Sequence, residues 1–180
     1  MRRDRLHAVP TFVLAFCLVA GCRPAAGSGR SATAPLRNAA GQEVGTLALR
    51  DAPGTPLTIE GDLTGLPAGT HGIHFHAVGQ CDAAGGFASA GAHFNPASRK
   101  HGLESTEGPH AGDLPNVVVG ADGRAAVRLT SSRVTLGREP ASLLDADGSA
   151  VVVHAAPDDQ RTDPSGNSGA RIACGVVTAR

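Results

Sequence analysis

Two histidines, His74 and His76, alternate with apolar residues in the segment I-H-F-H that begins at Ile73. Side chains in a β-strand alternate between its two faces, so a strand here would place both imidazoles on one face. Ile73 and Phe75 would then point into a core. Two imidazoles on one face can bind one metal ion, although the same pattern also occurs on the polar face of an ordinary strand. His71 has the opposite parity and need not join the pair.

Further histidines and an aspartate follow in the chain. They are His93, His101, His110, Asp113 and His154. Three histidines and one aspartate within a single long segment suit zinc, whose structural sites favour four such donors. Imidazoles carried by rigid strands also suit copper. The residue types therefore predict a site for one or both of these metals.

Seven short apolar segments separated by turn residues are typical of strands, and these strands must position the histidines. They cover residues 44–50, 56–63, 71–78, 116–120, 125–130, 150–155 and 171–178. Asp122 and Gly123 form a hairpin-turn signal between two of them. The sequence shows no long helical period and no repeat of fixed length. We therefore predict an all-β sandwich or barrel with two long functional loops, 79–116 and 155–170.

The first 21 residues have the features of an export signal. A charged start, M-R-R-D-R, precedes an apolar run that is too short to span a bilayer comfortably. The run ends in L-V-A-G-C, which resembles the lipobox of bacterial lipoproteins and makes Cys22 the expected lipidation site. An ordinary secretory signal cut nearby is the alternative. With the lipid, the mature protein is expected in the bacterial cell envelope, anchored in a periplasm-facing or outer membrane.

Residues 22–35 follow the signal and are rich in Gly, Ala, Ser and Pro. This composition predicts a lipidated cysteine followed by a flexible tether, with the folded domain covering residues 36–180. Cys81 and Cys174 are then the cysteines left in the domain. In an oxidising compartment they are expected to form a disulfide, with two unpaired buried thiols as the alternative. The formal charge of zero and the lack of a basic cluster argue against nucleic acid as a partner.

Five motifs resemble those of the copper-zinc superoxide dismutases and occur in the same order. The segment after the first motif has an early cysteine, which resembles the bacterial secreted branch of that family. The five motifs are H-G-I-H-F-H at 71–76, G-A-H-F-N-P-A-S-R-K-H-G at 91–102, H-A-G-D-L-P-N at 110–116, V-V-V-H-A-A-P-D-D at 151–159 and G-N-S-G-A-R-I-A-C-G-V at 166–176. The resemblance runs from residue 36 to the C-terminus. It implies a Greek-key β-barrel of about eight antiparallel strands. It also implies conversion of superoxide to oxygen and hydrogen peroxide at a redox-cycling copper beside a structural zinc.

The resemblance implies a role for each site residue. The expected copper ligands are His74, His76, His93 and His154, and the expected zinc ligands are His93, His101, His110 and Asp113, with one metal of each kind per chain. His93 would be shared between the metals and would carry a proton during turnover. Asp158 would link the free ring nitrogens of His74 and His101. Arg171 would attract and orient superoxide beside copper, and the Cys81–Cys174 disulfide would tie the 79–116 loop to the barrel.

Three points remain open in the sequence. The 155–170 loop has few basic residues, so long-range attraction of superoxide is expected to rest on Arg171 and Arg161. A chain without Tyr or Trp gives little sign of a large apolar dimer face, which leaves a monomer or a homodimer. A metal-buffering lipoprotein without enzymatic activity, or a lipoprotein that keeps only the barrel, would explain fewer of the motifs.

Overall fold

The computed structural model describes residue 1, residues 29–137 and residues 140–180. Apart from Met1, the expected signal peptide lies outside the described residues. So do Cys22 and the tether up to residue 28. In the described part of the chain, no helix has both the length and the apolar character needed to cross a membrane.

Ten β-strands form the described part of the protein, and one short 3-10 helix accompanies them. The strands are β1 (Arg30–Asn38), β2 (Glu43–Asp51), β3 (Leu57–Leu63), β4 (Gly69–His71), β5 (Ile73–His76), β6 (Val117–Val119), β7 (Ala125–Ser131), β8 (Ala150–His154), β9 (Arg171–Val176) and β10 (Thr178–Ala179). The 3-10 helix covers Ala88–Ala90. The predicted all-β class is confirmed, and each of the seven predicted segments contains a strand.

The main sheet is antiparallel and runs in the order β5-β8-β9-β1-β2-β3-β7, with β10 added beside β1. Strands β4 and β6 form a separate two-stranded sheet. Alternate residues of the strands point inward to one large apolar core, which includes Leu36, Leu47, Ile59, Phe75 and Val127. The long connections 77–116 and 155–170 leave this framework at β5 and β8, the two strands that carry the sequence-predicted histidine pair and His154.

Strand β1 corrects the predicted domain boundary. Residues 30–35 were assigned to the tether, but they belong to β1 and pair in register with β2. Their inward positions are filled by Ala32 and Ala34, which are almost completely buried, as is Leu36 beyond them. Alanine carries a weak apolar signal, so the alternation was hidden within a composition typical of a linker. The folded domain therefore includes residues 30–35.

The segment 71–78 is divided into two strands, where the sequence predicted one. Gly72 separates β4 from β5, and its main-chain groups bond to Ala156 and His154. His71 therefore belongs to the other sheet. Its two ring nitrogens lie 2.7 and 2.9 Å from the main-chain oxygens of His154 and Pro67. This imidazole is buried among main-chain groups and lies outside the histidine clusters described below.

Candidate metal centre

Strand β5 sorts its side chains as the sequence predicts. Ile73 and Phe75 are completely buried in the main core. His74 and His76 are also completely buried, but on the opposite face of the strand. A buried imidazole needs partners for its nitrogen atoms, because an unpartnered polar group loses its hydration without compensation. The partners come from the two long loops and from β8.

One loop pairs with the edge of β5 that β8 leaves free. The N–H of Phe75 donates to the main-chain oxygen of Gly112, and the oxygen of Phe75 accepts from the N–H of Phe94. These bonds place His93 and Asp113 directly opposite the two β5 histidines. Residues far apart in sequence are thus brought together by main-chain pairing, which is largely independent of side-chain identity.

The first cluster, called here the four-histidine group, consists of His74, His76, His93 and His154. One ring nitrogen from each lies within 4.8 Å of the others. The outer nitrogens of two rings are held by main-chain oxygens: Nδ1 of His76 donates to Gly91 at 2.9 Å, and Nδ1 of His154 donates to Gly169 at 3.2 Å. Their Nε2 atoms, 3.4 Å apart, are left facing the centre of the group.

The second cluster, called here the Asp113 group, consists of His93, His101, His110 and Asp113. Oδ1 of Asp113 lies 2.9, 3.1 and 3.3 Å from the Nδ1 atoms of these three histidines, in chain order. Its Oδ2 accepts the main-chain N–H groups of Gly102 and His110. The carboxylate is therefore fixed by the backbone and presents one oxygen to three imidazoles.

Asp158 joins the two clusters from outside. Its Oδ2 accepts from Nε2 of His74 at 2.6 Å, and its Oδ1 lies 3.0 Å from Nε2 of His101. The carboxylate holds both rings with Nδ1 turned inward. Asn116 fixes Asp158 in turn through two hydrogen bonds between its side-chain amide and the main chain of Asp158. The predicted link between His74 and His101 is therefore present in the geometry.

Both clusters have the properties of metal sites. Within the described residues, four buried ring nitrogens have no hydrogen-bond partner: Nδ1 of His74, His101 and His110, and Nε2 of His93. Such atoms are costly unless something binds them. The four-histidine group offers only imidazoles, which suit copper, and the Asp113 group offers three imidazoles and a carboxylate, which suit zinc. His93 contributes to both groups, so the two sites adjoin.

Burial favours the neutral form of three imidazoles in the four-histidine group. Burial lowers the pKa of His93 to about 4 and that of His154 to about 3, and it also lowers the pKa of His76. His101 differs: burial disfavours its charged form, but the adjacent carboxylates of Asp113 and Asp158 raise its pKa to about 9. A neutral imidazole has a free lone pair, so His76, His93 and His154 can bind a metal ion at neutral pH.

Arg171 lies at an opening beside the four-histidine group. A cleft of about 320 Å³ is lined by His76, His93, His154 and Arg171, among other residues. The guanidinium donates to the main-chain oxygens of Phe87 and Gly91, each at 2.6 Å. The predicted disulfide between Cys81 and Cys174 is confirmed, and it ties the loop that carries both acceptors to β9, the strand of Arg171.

Arg161, which the sequence expects to help attract superoxide, is paired with an acidic residue. Its guanidinium forms an ion pair with the carboxylate of Glu104 on the surface, with Nε 2.7 Å from Oε2. The pair connects the 155–170 loop to the 79–116 loop. Because Glu104 offsets part of the charge of Arg161, we expect Arg171 to contribute more than Arg161 to attracting an anion.

The sequence from residue 43 to residue 177 matches the family model described as copper/zinc superoxide dismutase. This chain belongs to the copper/zinc superoxide dismutase family. The match covers most of the chain and includes every member of both clusters. A superoxide dismutase [Cu-Zn] of Caulobacter vibrioides is 46% identical over 152 residues, which are 82% of this chain and 85% of that protein. Superoxide dismutase [Cu-Zn] 2 of Aquifex aeolicus is 41% identical over 148 residues, 81% of this chain and 85% of that protein.

Solved structures support the same fold. A structure of a superoxide dismutase-like (SOD-like) protein from Bacillus subtilis has a TM-score of 0.76 and 40% identity, covering 80% of this chain and 96% of that one. At this level of similarity the family's Greek-key barrel describes the arrangement of β1 to β10. The predicted family and fold are therefore confirmed.

Sequence reasoning missed residues that act on the clusters from outside. Asn116 was quoted within a motif without a role, yet it orients Asp158. Gly166 has a φ of +61°, and a Cβ atom there would lie 1.8 Å from Oδ1 of Asp158 and 2.7 Å from Nε2 of His101. Glycine is required both by the backbone and by the space. The Gly-rich run around Gly166 was a usable signal, since such runs often mark close approaches of the backbone.

Proposed function

We propose that this chain is a superoxide dismutase that converts two superoxide anions and two protons into one O2 and one H2O2. In this proposal copper is held by the four-histidine group and zinc by the Asp113 group, one of each per chain. One observation carries it: His93 joins two adjoining buried clusters of different donor type, and an arginine-lined cleft opens onto the all-imidazole one. Copper would supply one-electron redox chemistry, which zinc cannot.

Arg171 is proposed to bind and orient superoxide. An arginine has five N–H donors, and two of the terminal ones are used on Phe87 and Gly91. The remaining donors and the positive charge are available to a small anion in the cleft. Because the main-chain bonds fix the guanidinium, little reorganisation is needed when the anion arrives. The near-complete burial of His76 and His154 keeps the approach to the group narrow.

His93 is proposed to hold a proton at Nε2. Its Nδ1 lies beside Asp113, whereas Nε2 belongs to the four-histidine side and has no hydrogen-bond partner within the described residues. The ring also lines the cleft that contains Arg171. A proton held at Nε2 is therefore placed close to where the anion would bind, and can be passed to it as peroxide forms.

We also propose that the mature protein is attached to the bacterial cell envelope by lipid at Cys22, as a monomer or a homodimer, and protects the envelope from superoxide. The L-V-A-G-C sequence supports the anchor. The Cys81–Cys174 disulfide supports export, since disulfides persist in oxidising compartments. Mass spectrometry of the membrane fraction, compared with a Cys22→Ser variant, tests the lipid: a wild-type chain without added acyl mass would contradict it.

The activity is tested by combining metal analysis with a superoxide assay on protein refolded with both metals. We expect about one copper and one zinc per chain, and dismutation that is lost when copper is removed. His154→Ala should lose most copper and activity but keep zinc, because His154 belongs only to the four-histidine group. A wild-type protein that binds both metals without dismutating superoxide would instead be a metal carrier.

A further inference from the structure

The three imidazoles of the Asp113 group share a partner at Nδ1 but face different partners at Nε2. All three Nδ1 atoms face Oδ1 of Asp113. Nε2 of His101 lies beside Asp158, and Nε2 of His93 belongs to the neighbouring group. Nε2 of His110 lies 3.8 Å from Oδ1 of Asp163, a carboxylate that the sequence analysis did not single out.

Asp163 reaches this position from the 155–170 loop, yet it is fixed to the other loop. Its Oδ1 accepts the main-chain N–H of His101 at 2.8 Å, and its Oδ2 lies 3.4 Å from Nζ of Lys100. The side chain of Asp163 is 42% exposed, so its ion pair with the exposed Lys100 is weak. The hydrogen bond from the backbone is therefore what fixes the carboxylate beside His110.

We propose that Asp163 is a positioning residue for the zinc site, acting on His110 as Asp158 acts on His101. This inference rests on the proposed assignment of zinc to the Asp113 group. A carboxylate opposite Nε2 favours the tautomer that carries its proton there, which leaves Nδ1 free to bind the metal and makes it a better donor. The 3.8 Å separation is longer than a hydrogen bond, so the effect of Asp163 on His110 is mainly that of its charge.

Two variants separate the charge from the hydrogen bond. Asp163→Asn keeps an oxygen that can accept the N–H of His101 but removes the negative charge. Asp163→Ala removes both. Asp122→Asn is the matched control, because it removes an exposed carboxylate in the turn between β6 and β7, which lies outside both loops. Lys100→Met removes the competing cation and should not speed zinc release.

The measurement is the rate at which Zn²⁺ passes from fully loaded protein to the chelator 4-(2-pyridylazo)resorcinol. We expect release from Asp163→Asn to be about tenfold faster than from the wild type, within the range typical of residues that support metal ligands. Asp122→Asn should match the wild type. With Co²⁺ in place of Zn²⁺, the visible absorption bands of Asp163→Asn should shift, since the donor strength of His110 changes.

Each outcome has a distinct meaning. Faster release from Asp163→Asn together with shifted cobalt bands supports the positioning role. The positioning role is overturned if Asp163→Asn releases zinc at the wild-type rate and keeps the wild-type cobalt bands. This holds even if Asp163→Ala releases zinc faster, because Asp163 would then serve only to connect the loops. If the wild-type protein takes up no zinc, the proposed function fails and this inference fails with it. If the wild-type protein takes up zinc normally and Asp163→Asn releases it at the wild-type rate, this inference fails while the proposed function stands.

Discussion

Arg171 and His76 donate hydrogen bonds to the same acceptor, the main-chain oxygen of Gly91, at 2.6 and 2.9 Å. The group proposed to attract the substrate and a proposed copper ligand are therefore held by one peptide unit. Gly91 itself lies in the loop that the disulfide ties to β9. Any displacement of this loop moves the cleft and the four-histidine group together.

Reversing the charge of Arg171 should slow the reaction with superoxide while leaving both metals bound. Arg171 belongs to neither cluster, and Arg171→Glu replaces attraction of the anion by repulsion. We expect the second-order rate constant to fall by at least about tenfold, and the wild-type rate to fall as salt screens the charge. Stopped-flow kinetics at matched copper content measures both effects.

Arg161→Glu provides the control for that experiment. It changes the net charge by the same amount, but at a residue already paired with Glu104. The rate of this variant should fall much less than that of Arg171→Glu. Equal losses in the two variants would mean that net charge matters and that the position of Arg171 does not.

Adding one methyl group at Gly166 should disturb both clusters. The new Cβ would overlap Oδ1 of Asp158, and alanine also disfavours the φ of +61°. Because Asp158 holds His74 and His101, Gly166→Ala should reduce the retention of copper and zinc alike. Gly54→Ala is the control, with a φ of +78° but no atom within 4 Å of the added group. Dialysis against a chelator, followed by metal analysis, distinguishes the two. Equal retention in both variants would show that Asp158 is not displaced.

Breaking the Cys81–Cys174 bond should destabilise the domain and loosen the cleft. The bond closes a loop with a sequence separation of 93 residues, which corresponds to about 4–5 kcal/mol in the chain-entropy model. Metal-free protein should melt at a lower temperature in the presence of reductant, and the paired Cys81→Ser and Cys174→Ser variant should behave like the reduced protein. An unchanged melting temperature, with the bond verified beforehand, would contradict the expected stabilisation.

Metal-free protein should be most stable near pH 6.5. Folding lowers the pKa of His93 to about 4 and that of His154 to about 3, so the unfolded chain binds more protons between these values and 6.5. Their contribution is complete above pH 6.5 and is lost on acidification, at up to about 1.4 kcal/mol per pH unit for each group. His101, with its pKa raised to about 9, contributes below pH 6.5 and loses that contribution as the pH rises to 9. Urea unfolding at pH 4.5, 6.5 and 8.5 should show the maximum, and a steady rise with pH would contradict it.

The sequence was most informative where the chemistry depends on side-chain type. The histidines and Asp113 could be named because few other residues bind these metals, and Asp158 could be named by its motif. The role of Gly91 could not be predicted, because Gly91 contributes a main-chain oxygen that any residue would supply. Asp163 was hidden for another reason: its contact with His110 depends on how two loops approach each other, which strand periodicity does not determine. Strand β1 was missed because alanine gives little apolar contrast.

The position of β1 in the sheet has a consequence for how the protein acquires its shape. This N-terminal strand lies between β2 and β9, and Arg37 pairs with Cys174 near the other end of the chain. The sheet therefore cannot close until almost the whole polypeptide is available, and contacts between such distant segments form slowly. A chain with this topology cannot complete its main sheet while its C-terminal segment is still being synthesised. The four-histidine group can form only once β8 has paired with β5, because His74 and His76 lie on β5 and His154 ends β8.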